Sequence, residues 1–299
     1  MNIRFTLRQL QVFVATAHHQ NISRAAREVG LSQSAASAAL KELEQLYDVR
    51  LFDRKGKRLI LNEQGRNFRP RAQALLDQAI ALDGALRSHT QTGTLKVGAT
   101  LSIGNYLAVR ILARLLKKRL PLKIDLEVDN TEHIAAKVLN FELDLGMIEG
   151  EIHAPELDVI PWRPDELVVF CAPDHPLARQ ATLSDDDLVS AQWIMREPGS
   201  GTRQAFEHAM HGLLPNLNIV LQLQHTEAIK RAVEAGLGIS CLSRLTLEEA
   251  FARGSLVPLS VPGRDLSRQL YFILHKQKFR SPGLETWLHL CVKEGETVA

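Results

Sequence analysis

This chain of 299 residues has no apolar run near the roughly 18 residues that a membrane-spanning helix requires. Arginine and glutamine interrupt its first 20 residues, so these do not read as a signal peptide, and we expect a cytoplasmic protein. Cysteine is scarce. The three that occur, Cys171, Cys241 and Cys291, are too widely spaced for a disulfide framework or a zinc site.

Motifs of common enzyme classes are also missing. The sequence contains no Gly-x-Ser-x-Gly elbow, no phosphate-binding Gly-Lys-Ser/Thr loop and no His-Glu-x-x-His pair. Gly236 and Gly238 precede a strand instead of joining a strand to a helix, so they do not form a dinucleotide-binding motif. His208 and His211 fit a surface helix better than a metal site. We therefore predict no catalytic residues, no metal and no cofactor.

Charge is distributed unevenly although the net charge is only +2. Residues 1–90 hold 14 Lys and Arg against 8 Asp and Glu, whereas residues 91–299 hold 22 against 26. The length predicts two or three domains. A basic N-terminal third attached to a slightly acidic body is typical of a nucleic-acid-binding module, with a chance fluctuation as the alternative.

Three short helices are predicted in the first 50 residues. Leu7, Leu10, Phe13, Val14 and Ala17 form an apolar stripe with helical spacing. A second helix follows Ser23, Gly30 permits a tight turn, and Ser32 can cap a third helix. This order is typical of a helix-turn-helix motif, although an ordinary three-helix cluster remains the alternative.

The third helix would read DNA in such a motif. Its polar face at the start presents Gln33, Ser34 and Ser37, and Gln and Ser can hydrogen bond base edges. After this helix, two short predicted strands on either side of Gly56 indicate a β-wing. We expect phosphate contacts from the helix start and the wing, by Ser32, Lys41, Arg54, Lys55, Lys57 and Arg58. A solvated hairpin tip is the alternative for the wing.

Residues 63–88 predict a long helix with a heptad seam. The seam consists of Phe68, Ala72, Leu75, Ala79, Leu82 and Leu86. A helix of a second copy is the natural partner, because dimers match two-fold DNA sites, and packing on its own domain is the alternative. Pro70 is expected to kink the first turns.

Beyond a hinge at residues 89–94, strands and helices alternate, which predicts an α/β fold with a largely parallel sheet. Among these elements we expect a helix over Asn105–Arg119 and a strand over Glu166–Cys171. Three polar segments follow strands and open helices, at residues 100–105, 129–131 and 196–203. Their hydroxyl and N–H groups could hold an anion in a cleft between two lobes, although simple helix capping would use the same residues.

The stretch from Leu7 to Gly65 resembles the winged helix-turn-helix of LysR-type transcriptional regulators. The resemblance rests on Ala25-Ala26, on the Leu-Ser-Gln that begins the third helix, on Leu43-Glu44 and on Arg-Leu-Phe before the wing. One departure is Ser34, where the family often has proline. The base preference at that position can therefore differ.

The C-terminal part resembles the effector-binding domain of the same family, through DLGMIEG, REPGSGTR and EAIKRAVEAGLGISCLS. REPGSGTR together with EHIAAKVLNFELDLGMIEG most resembles a branch that contains sulfur-assimilation and carbon-fixation regulators. The resemblance implies a DNA-binding domain at 1–62, a linker helix and hinge at 63–91, and an effector-binding domain at 92–299. It further implies lobe I at about 92–161 plus 269–299 and lobe II at about 162–268. An effector would touch Thr100, Ser102, Ile103, Thr131, Ser200, Gly201 and Thr202.

The expected fold is therefore α/β overall, with an N-terminal winged helix-turn-helix, a long linker helix and a two-lobed C-terminal domain similar to periplasmic binding proteins. The predicted function is a DNA-binding transcriptional regulator controlled by a small anionic effector. Predicted partners are double-stranded DNA with two-fold half-sites, the effector, further copies of the chain forming a dimer and then a tetramer, and RNA polymerase, but no membrane. The alternatives are an enzyme with a DNA-binding head, a solute-binding protein, and a redox switch at Cys241.

Overall fold

The structure is a computed structural model that describes residues 3–56, 58–87, 94–118 and 122–296. The chain divides into two compact units. The first contains the residues before Thr94 and the short segment Gln277–Pro282, and the second contains the rest. Within the described ranges no helix is long and apolar enough to cross a membrane.

Three helices open the first unit: α1 (Leu7–His19), α2 (Ile22–Glu28) and α3 (Gln33–Leu46). Each begins after a residue whose side-chain oxygen accepts a backbone N–H of the first turn, namely Thr6, Asn21 and Ser32. Gly30 makes the turn from α2 to α3 with a φ of 68°, a left-handed conformation that costs glycine little. The predicted helix-turn-helix is confirmed, but α2 begins after Asn21 and not after Ser23, which lies in its first turn.

Strands β1 (Phe52–Lys55) and β2 (Arg58–Leu61) form an antiparallel hairpin, and helix α4 (Glu63–Arg87) follows without a break at Pro70. One apolar cluster holds the unit together, with Leu10, Phe13, Ala36, Leu40, Leu43, Phe52, Ala72 and Leu76 among its members. The hairpin therefore shares its core with the three helices and with the N-terminal half of α4.

The second unit begins as one α/β lobe. Its elements are β3 (Thr94–Thr100), a π-helical stretch (Ile103–Ala108) that continues into α5 (Val109–Lys117), β4 (Lys123–Asp129), α6 (Thr131–Leu139), β5 (Leu145–Glu149) and β6 (Leu157–Cys171). Strands β3, β4 and β5 are mutually parallel. The helix expected over 105–119 thus starts earlier and in π form.

The second lobe continues the alternation. Its elements are a 3₁₀ turn (Pro176–Arg179), α7 (Asp185–Ser190), β7 (Gln192–Arg196), α8 (Gly201–Ala209), a 3₁₀ turn (Leu214–Asn216), β8 (Asn218–Leu223), α9 (Thr226–Glu234), β9 (Ile239–Ser243), α10 (Arg244–Arg253) and β10 (Val257–Leu259). Strand β11 (Ser267–His275) and helix α11 (Pro282–Glu296) end the chain.

The strand order in this unit is β4-β3-β5-β11-β6-β9-β7-β8, and β10 pairs with β6. Strand β6 belongs to both lobes, because its first ten residues pair with β11 and its last five pair with β9 and β10. The chain enters the second lobe along β6 and returns along β11. Each lobe has its own apolar clusters, around Trp287 in the first and Trp193 in the second. The two-lobed α/β architecture is confirmed.

Candidate functional site

The start of α3 presents a polar surface above a buried stripe. Gln33 and Ser34 are exposed and Ser37 is half-buried, whereas Ala36, Leu40 and Leu43 lie in the core. The Ser32 hydroxyl accepts the N–H of Ala35 at 3.2 Å and lies 3.0 Å from the Ser34 hydroxyl. The outward direction of the predicted base-reading residues therefore follows from the burial of the opposite face. Lys41, one turn further along, is also exposed.

The wing is fixed to the helices by backbone contacts. The N–H of Leu51 donates to the Glu44 carboxylate at 2.7 Å, and the N–H of Leu59 donates to the Gln20 carbonyl at 2.9 Å. Arg54, Lys55 and Arg58 are exposed on the hairpin, and Lys57 lies outside the described residues. Three cations are thus exposed on a hairpin that is hydrogen-bonded to α1 and α3, which suits contacts to phosphates.

The predicted seam of α4 divides along the helix. Phe68 packs against Phe13, with ring centroids 5.1 Å apart, and Ala72 is buried in the core of the same unit. Further along the seam Leu75 is 37% exposed and Leu82 is 63% exposed, with half-buried Ala79 between them. The side chain of Leu86 is outside the described residues. The N-terminal half of the seam therefore packs on its own unit, and only the C-terminal half remains open.

In the second unit, hydroxyl groups from several strand ends meet at Glu149, the last residue of β5. Ser102 and Thr202 donate to one of its carboxylate oxygens, at 3.2 and 3.3 Å. Thr131 donates to the Glu149 carbonyl at 2.8 Å and accepts the N–H of Gly201 at 3.2 Å. Glu149 is 1% exposed. The segments predicted to hold an anion are thus brought together around a carboxylate of the chain itself.

Arg268, at the start of β11, balances this buried charge. Its guanidinium donates to the second oxygen of Glu149 at 3.0 Å, to the Thr202 hydroxyl at 3.0 Å and to Asp165 at 2.7 Å. The side chains of Arg268 and Asp165 are 4% and 10% exposed. Two carboxylates share one guanidinium, so the network is satisfied by hydrogen bonds but carries a net negative charge.

The other predicted effector residues have distinct surroundings. The Thr100 hydroxyl is buried and finds no hydrogen-bond partner in the described part of the chain. Ile103 is fully buried in the apolar cluster of the first lobe. Ser200 caps α8. Gly201 passes so close to the first lobe that a Cβ atom would lie 1.8 Å from the Glu149 carbonyl oxygen, so only glycine fits.

A second polar contact joins the lobes at the π-helical stretch. The Tyr106 hydroxyl donates to Glu227 of α9 at 2.6 Å, and Lys230 donates to the Tyr106 hydroxyl at 3.2 Å. Burial, followed by the hydrogen bond to Glu227, raises the pKa of Tyr106 far above its usual range. Tyr106 is therefore a neutral donor throughout the physiological pH range.

Two family matches follow the same division of the chain. Residues 7–66 match the bacterial regulatory helix-turn-helix protein of the lysR family, and residues 88–296 match the LysR substrate binding domain. The chain belongs to the LysR family. This LysR-type protein is a DNA-binding transcriptional regulator with an effector-binding domain.

Full-length relatives agree with this assignment. The LysR-type chain is 43% identical over 289 residues to the uncharacterized HTH-type transcriptional regulator YeiE of Escherichia coli (strain K12), covering 97% of this chain and 98% of that protein. It is 33% identical over 291 residues to the RuBisCO operon transcriptional regulator of Allochromatium vinosum, covering 97% and 96%. The predicted likeness to carbon-fixation regulators is confirmed.

Solved structures are similar as well. Full-length OxyR of Pseudomonas aeruginosa, in a variant form, superposes with a TM-score of 0.76 at 21% identity, covering 99% of this chain and 96% of that one, and at this identity shows the fold alone. The regulatory domain of CcmR from Synechocystis, solved in complex with 2-PG, has a TM-score of 0.64 at 30% identity, covering 69% and 99%.

Sequence reasoning missed three residues of this LysR-type site, namely Glu149, Asp165 and Arg268. A signal for the first was present, since Glu149 ends a strand whose other residues are all apolar, and a buried carboxylate requires a partner. Nothing local identifies that partner, because Arg268 lies 119 residues further along the chain. The two became neighbours only through the pairing of β5 with β11.

The cysteines of this LysR-type regulator are buried. Burial raises the pKa of the Cys241 thiol to about 12, with Arg268 opposing the shift, and burial raises that of Cys171 to about 11. The thiolate is the reactive form, so both side chains are poor nucleophiles at neutral pH. The redox switch considered for Cys241 has no support in this environment.

Proposed function

We propose that this LysR-type regulator binds a small oxyanion effector in the cleft between its two lobes, with Thr100, Ser102, Thr131 and the segment Ser200–Thr202 as ligands. One observation carries the proposal. Two of the donors predicted to hold an anion, Ser102 and Thr202, converge on one carboxylate oxygen of Glu149, so their geometry already suits an oxyanion. The regulatory domain of CcmR, solved in complex with 2-PG, supports a small ligand in a domain of this kind.

Glu149 sets a condition on such an effector. Its carboxylate occupies the donors Ser102, Thr202 and Arg268, so an incoming oxyanion must take over these hydrogen bonds while Glu149 turns away. When Glu149 turns away, it also gives up its hydrogen bond from Arg268 at the start of β11. The effector therefore favours one arrangement of the lobes over another, as linkage requires for any effect on DNA binding.

The DNA side of the proposal uses residues 1–62 as the binding domain and 63–91 as linker and hinge. Gln33, Ser34 and Ser37 would contact bases, and Ser32, Lys41, Arg54, Lys55, Lys57 and Arg58 would contact phosphates. Two copies joined through the exposed half of the α4 seam would match two-fold half-sites. Such a regulator acts on the chromosome in the cytoplasm, without enzymatic activity. A dimer of dimers and contact with RNA polymerase complete the proposal.

A thermal-shift screen of the full chain tests the effector site. We expect saturable stabilisation by one member of a panel of sulfate, phosphate, small carboxylates, sugar phosphates and aromatic acids, because a ligand stabilises the state that binds it. Thr202→Val should remove the part of this stabilisation that arises at the hydroxyl cluster, since the variant loses a donor without losing volume. Thr94→Val, an exposed threonine at the start of β3, is the matched control. A full response in Thr202→Val would place the effector elsewhere.

Base reading by α3 gives a separate prediction. Gln33→Ala should weaken binding to the preferred operator by about 1–3 kcal/mol and should do so at one base pair, because a bidentate side-chain contact discriminates bases by that amount. The measurement is a competition assay against operators substituted at each position. Gln45→Ala, on the same helix and equally exposed, should bind all of them like the wild type. Uniform weakening by Gln33→Ala on every sequence would contradict base reading.

A further inference from the structure

The first turn of α9 in the second lobe leaves polar groups without partners. His225, which precedes the helix, makes no capping hydrogen bond with its side chain. Thr226 is 2% exposed, and its hydroxyl finds no hydrogen-bond partner anywhere in the described ranges. A buried hydroxyl without a partner costs free energy, so the arrangement calls for a ligand atom at this position.

Arg196 supplies a second such group. It ends β7, is 2% exposed, and uses Nε and Nη2 for a bidentate pair with Glu197 at 2.8 and 2.9 Å. Its Nη1 atom is buried and has no partner among the residues that the structure describes. One edge of the guanidinium therefore remains available after the ion pair is formed.

The topology directs Arg196 toward the start of α9. Side chains alternate along β7, so Trp193 and Met195 face the cluster under α8, whereas Ile194 packs with Ile229 and Val233 of α9. Arg196, two residues after Ile194, projects from the face that α9 covers. It also pairs in register with Leu223, the last residue of β8, three residues before Thr226. The carboxyl end of β7 and the amino end of α9 therefore meet.

Electrostatics then selects the ligand. A buried guanidinium beside the positive end of a helix dipole is unfavourable unless an anion lies between them. Glu197 neutralises one edge of Arg196. Glu227, in the first turn of α9, is directed to Tyr106 and Lys230. Neither carboxylate accounts for the Nη1 atom or the Thr226 hydroxyl.

We propose that the first turn of α9 is an oxyanion subsite, in which Arg196 Nη1, the Thr226 hydroxyl and the uncapped N–H groups of the helix bind one compact acidic group. Its residues differ from those of the hydroxyl cluster around Glu149, so the subsite stands without the proposed effector site. A free inorganic anion and the acidic head of a larger molecule would make the same contacts.

Titration of the full-length protein with sulfate and with phosphate, followed by thermal shift, tests the subsite. Wild-type protein should show saturable stabilisation, and Thr226→Val should raise the half-saturating concentration at least tenfold. The same variant in anion-free buffer should melt no lower than the wild type, since it removes an unpaired hydroxyl without changing volume. Methyl phosphate in place of phosphate distinguishes a free inorganic anion from the acidic head of a larger molecule, because only a site open to larger molecules accepts the ester.

Arg196→Gln should reproduce the loss, and Arg231→Gln is the charge-matched control on an exposed position of the same helix. Retention of the Thr226-sensitive response in Thr202→Val separates this subsite from the hydroxyl cluster. Titration curves of Thr226→Val that superimpose on the wild type, or no saturable effect of either anion on the wild type, would overturn the inference. If Thr202→Val abolishes the response to the anions and Thr226→Val does not, the α9 subsite is overturned and the proposed effector site stands.

Discussion

Replacing Arg268 by methionine should lower the free energy of unfolding of the effector-binding domain by about 3–5 kcal/mol. The guanidinium is the shared partner of Glu149 and Asp165, and all three side chains are at least nine-tenths buried. The variant keeps most of the side-chain volume but leaves two carboxylates close together in a site with little access to water. The penalty arises from these uncompensated charges more than from the lost hydrogen bonds.

Calorimetry or a circular-dichroism melt of the full chain measures this effect. For a domain of 150–250 residues, each kcal/mol moves the melting temperature by roughly 2–4 °C, so the transition of the effector-binding domain should fall by about 6–20 °C. Arg244→Met is the matched control. Its guanidinium pairs with Glu166 at 2.6 Å, but both side chains are at least half exposed, so we expect a loss of under about 1 kcal/mol.

A compensating variant distinguishes charge from packing. Adding Glu149→Gln and Asp165→Asn to Arg268→Met removes both negative charges and retains side chains that accept from Ser102 and Ser243. We expect the combined variant to regain most of the lost stability, because neutralising a buried ion network is less costly than removing one partner. Equal melting temperatures for Arg268→Met and the combined variant would instead attribute the loss to packing around β11.

Local signals in the sequence were sufficient for the helix-turn-helix of the first unit. The apolar spacing on α3, the cap at Ser32 and the left-handed turn at Gly30 are decided within a few residues, so each could be predicted before the structure. The family resemblance spans the same segment. The outward position of Gln33 then follows directly, because it is opposite the buried stripe.

Strand β6 shows where local signals fail. Its predicted start is Glu166, and the segment before that residue contains Pro161 and Pro164, a residue type that is rare inside strands. The observed strand begins at Leu157 and pairs with β11 through a bulge, where Leu270 faces Arg163 and Tyr271 faces Pro161. The bulge relieves the ladder beside a residue without an N–H donor. The strand can accommodate these prolines only because of its pairing with β11. That strand lies about 100 residues away, so a short stretch of sequence around β6 cannot reveal it.

The hydroxyl cluster around Glu149 was predictable in part for the same reason. Hydroxyl residues at strand ends are recognisable locally, and Ser102, Thr131 and Thr202 do meet. Their hydrogen bonds to Glu149 depend on the tertiary fold, and because of them these donors are already occupied. The α4 seam follows the same pattern, because periodicity identifies the apolar face but not which half of it the winged helix-turn-helix covers.

In the proposed dimer, in which two copies join through the exposed half of the α4 seam, Leu82→Asp should produce monomers and weaken binding to an operator with two half-sites by about 10²–10⁴-fold. Leu82 is 63% exposed in the half of the seam that its own unit does not cover. A carboxylate in each copy would place two like charges in a desolvated helix pair. Two linked reading heads bind far more tightly than one because the second binds at high effective concentration, and dissociation removes that gain.

Sedimentation velocity gives the mass, and fluorescence anisotropy compares the two-site operator with an isolated half-site. The half-site affinity should stay within twofold of the wild type, because α3 and the wing are unchanged. Ile80→Asp is the matched control, since Ile80 has the same 63% exposure but faces away from the seam, and it should remain dimeric. If Ile80→Asp is monomeric and Leu82→Asp remains dimeric, the contact between the copies lies on the opposite face of α4. In that case the exposed Leu82 side chain would only reduce solubility. If the seam instead forms the contact between two copies, the orientation of α4 sets the spacing between the two α3 helices that read DNA.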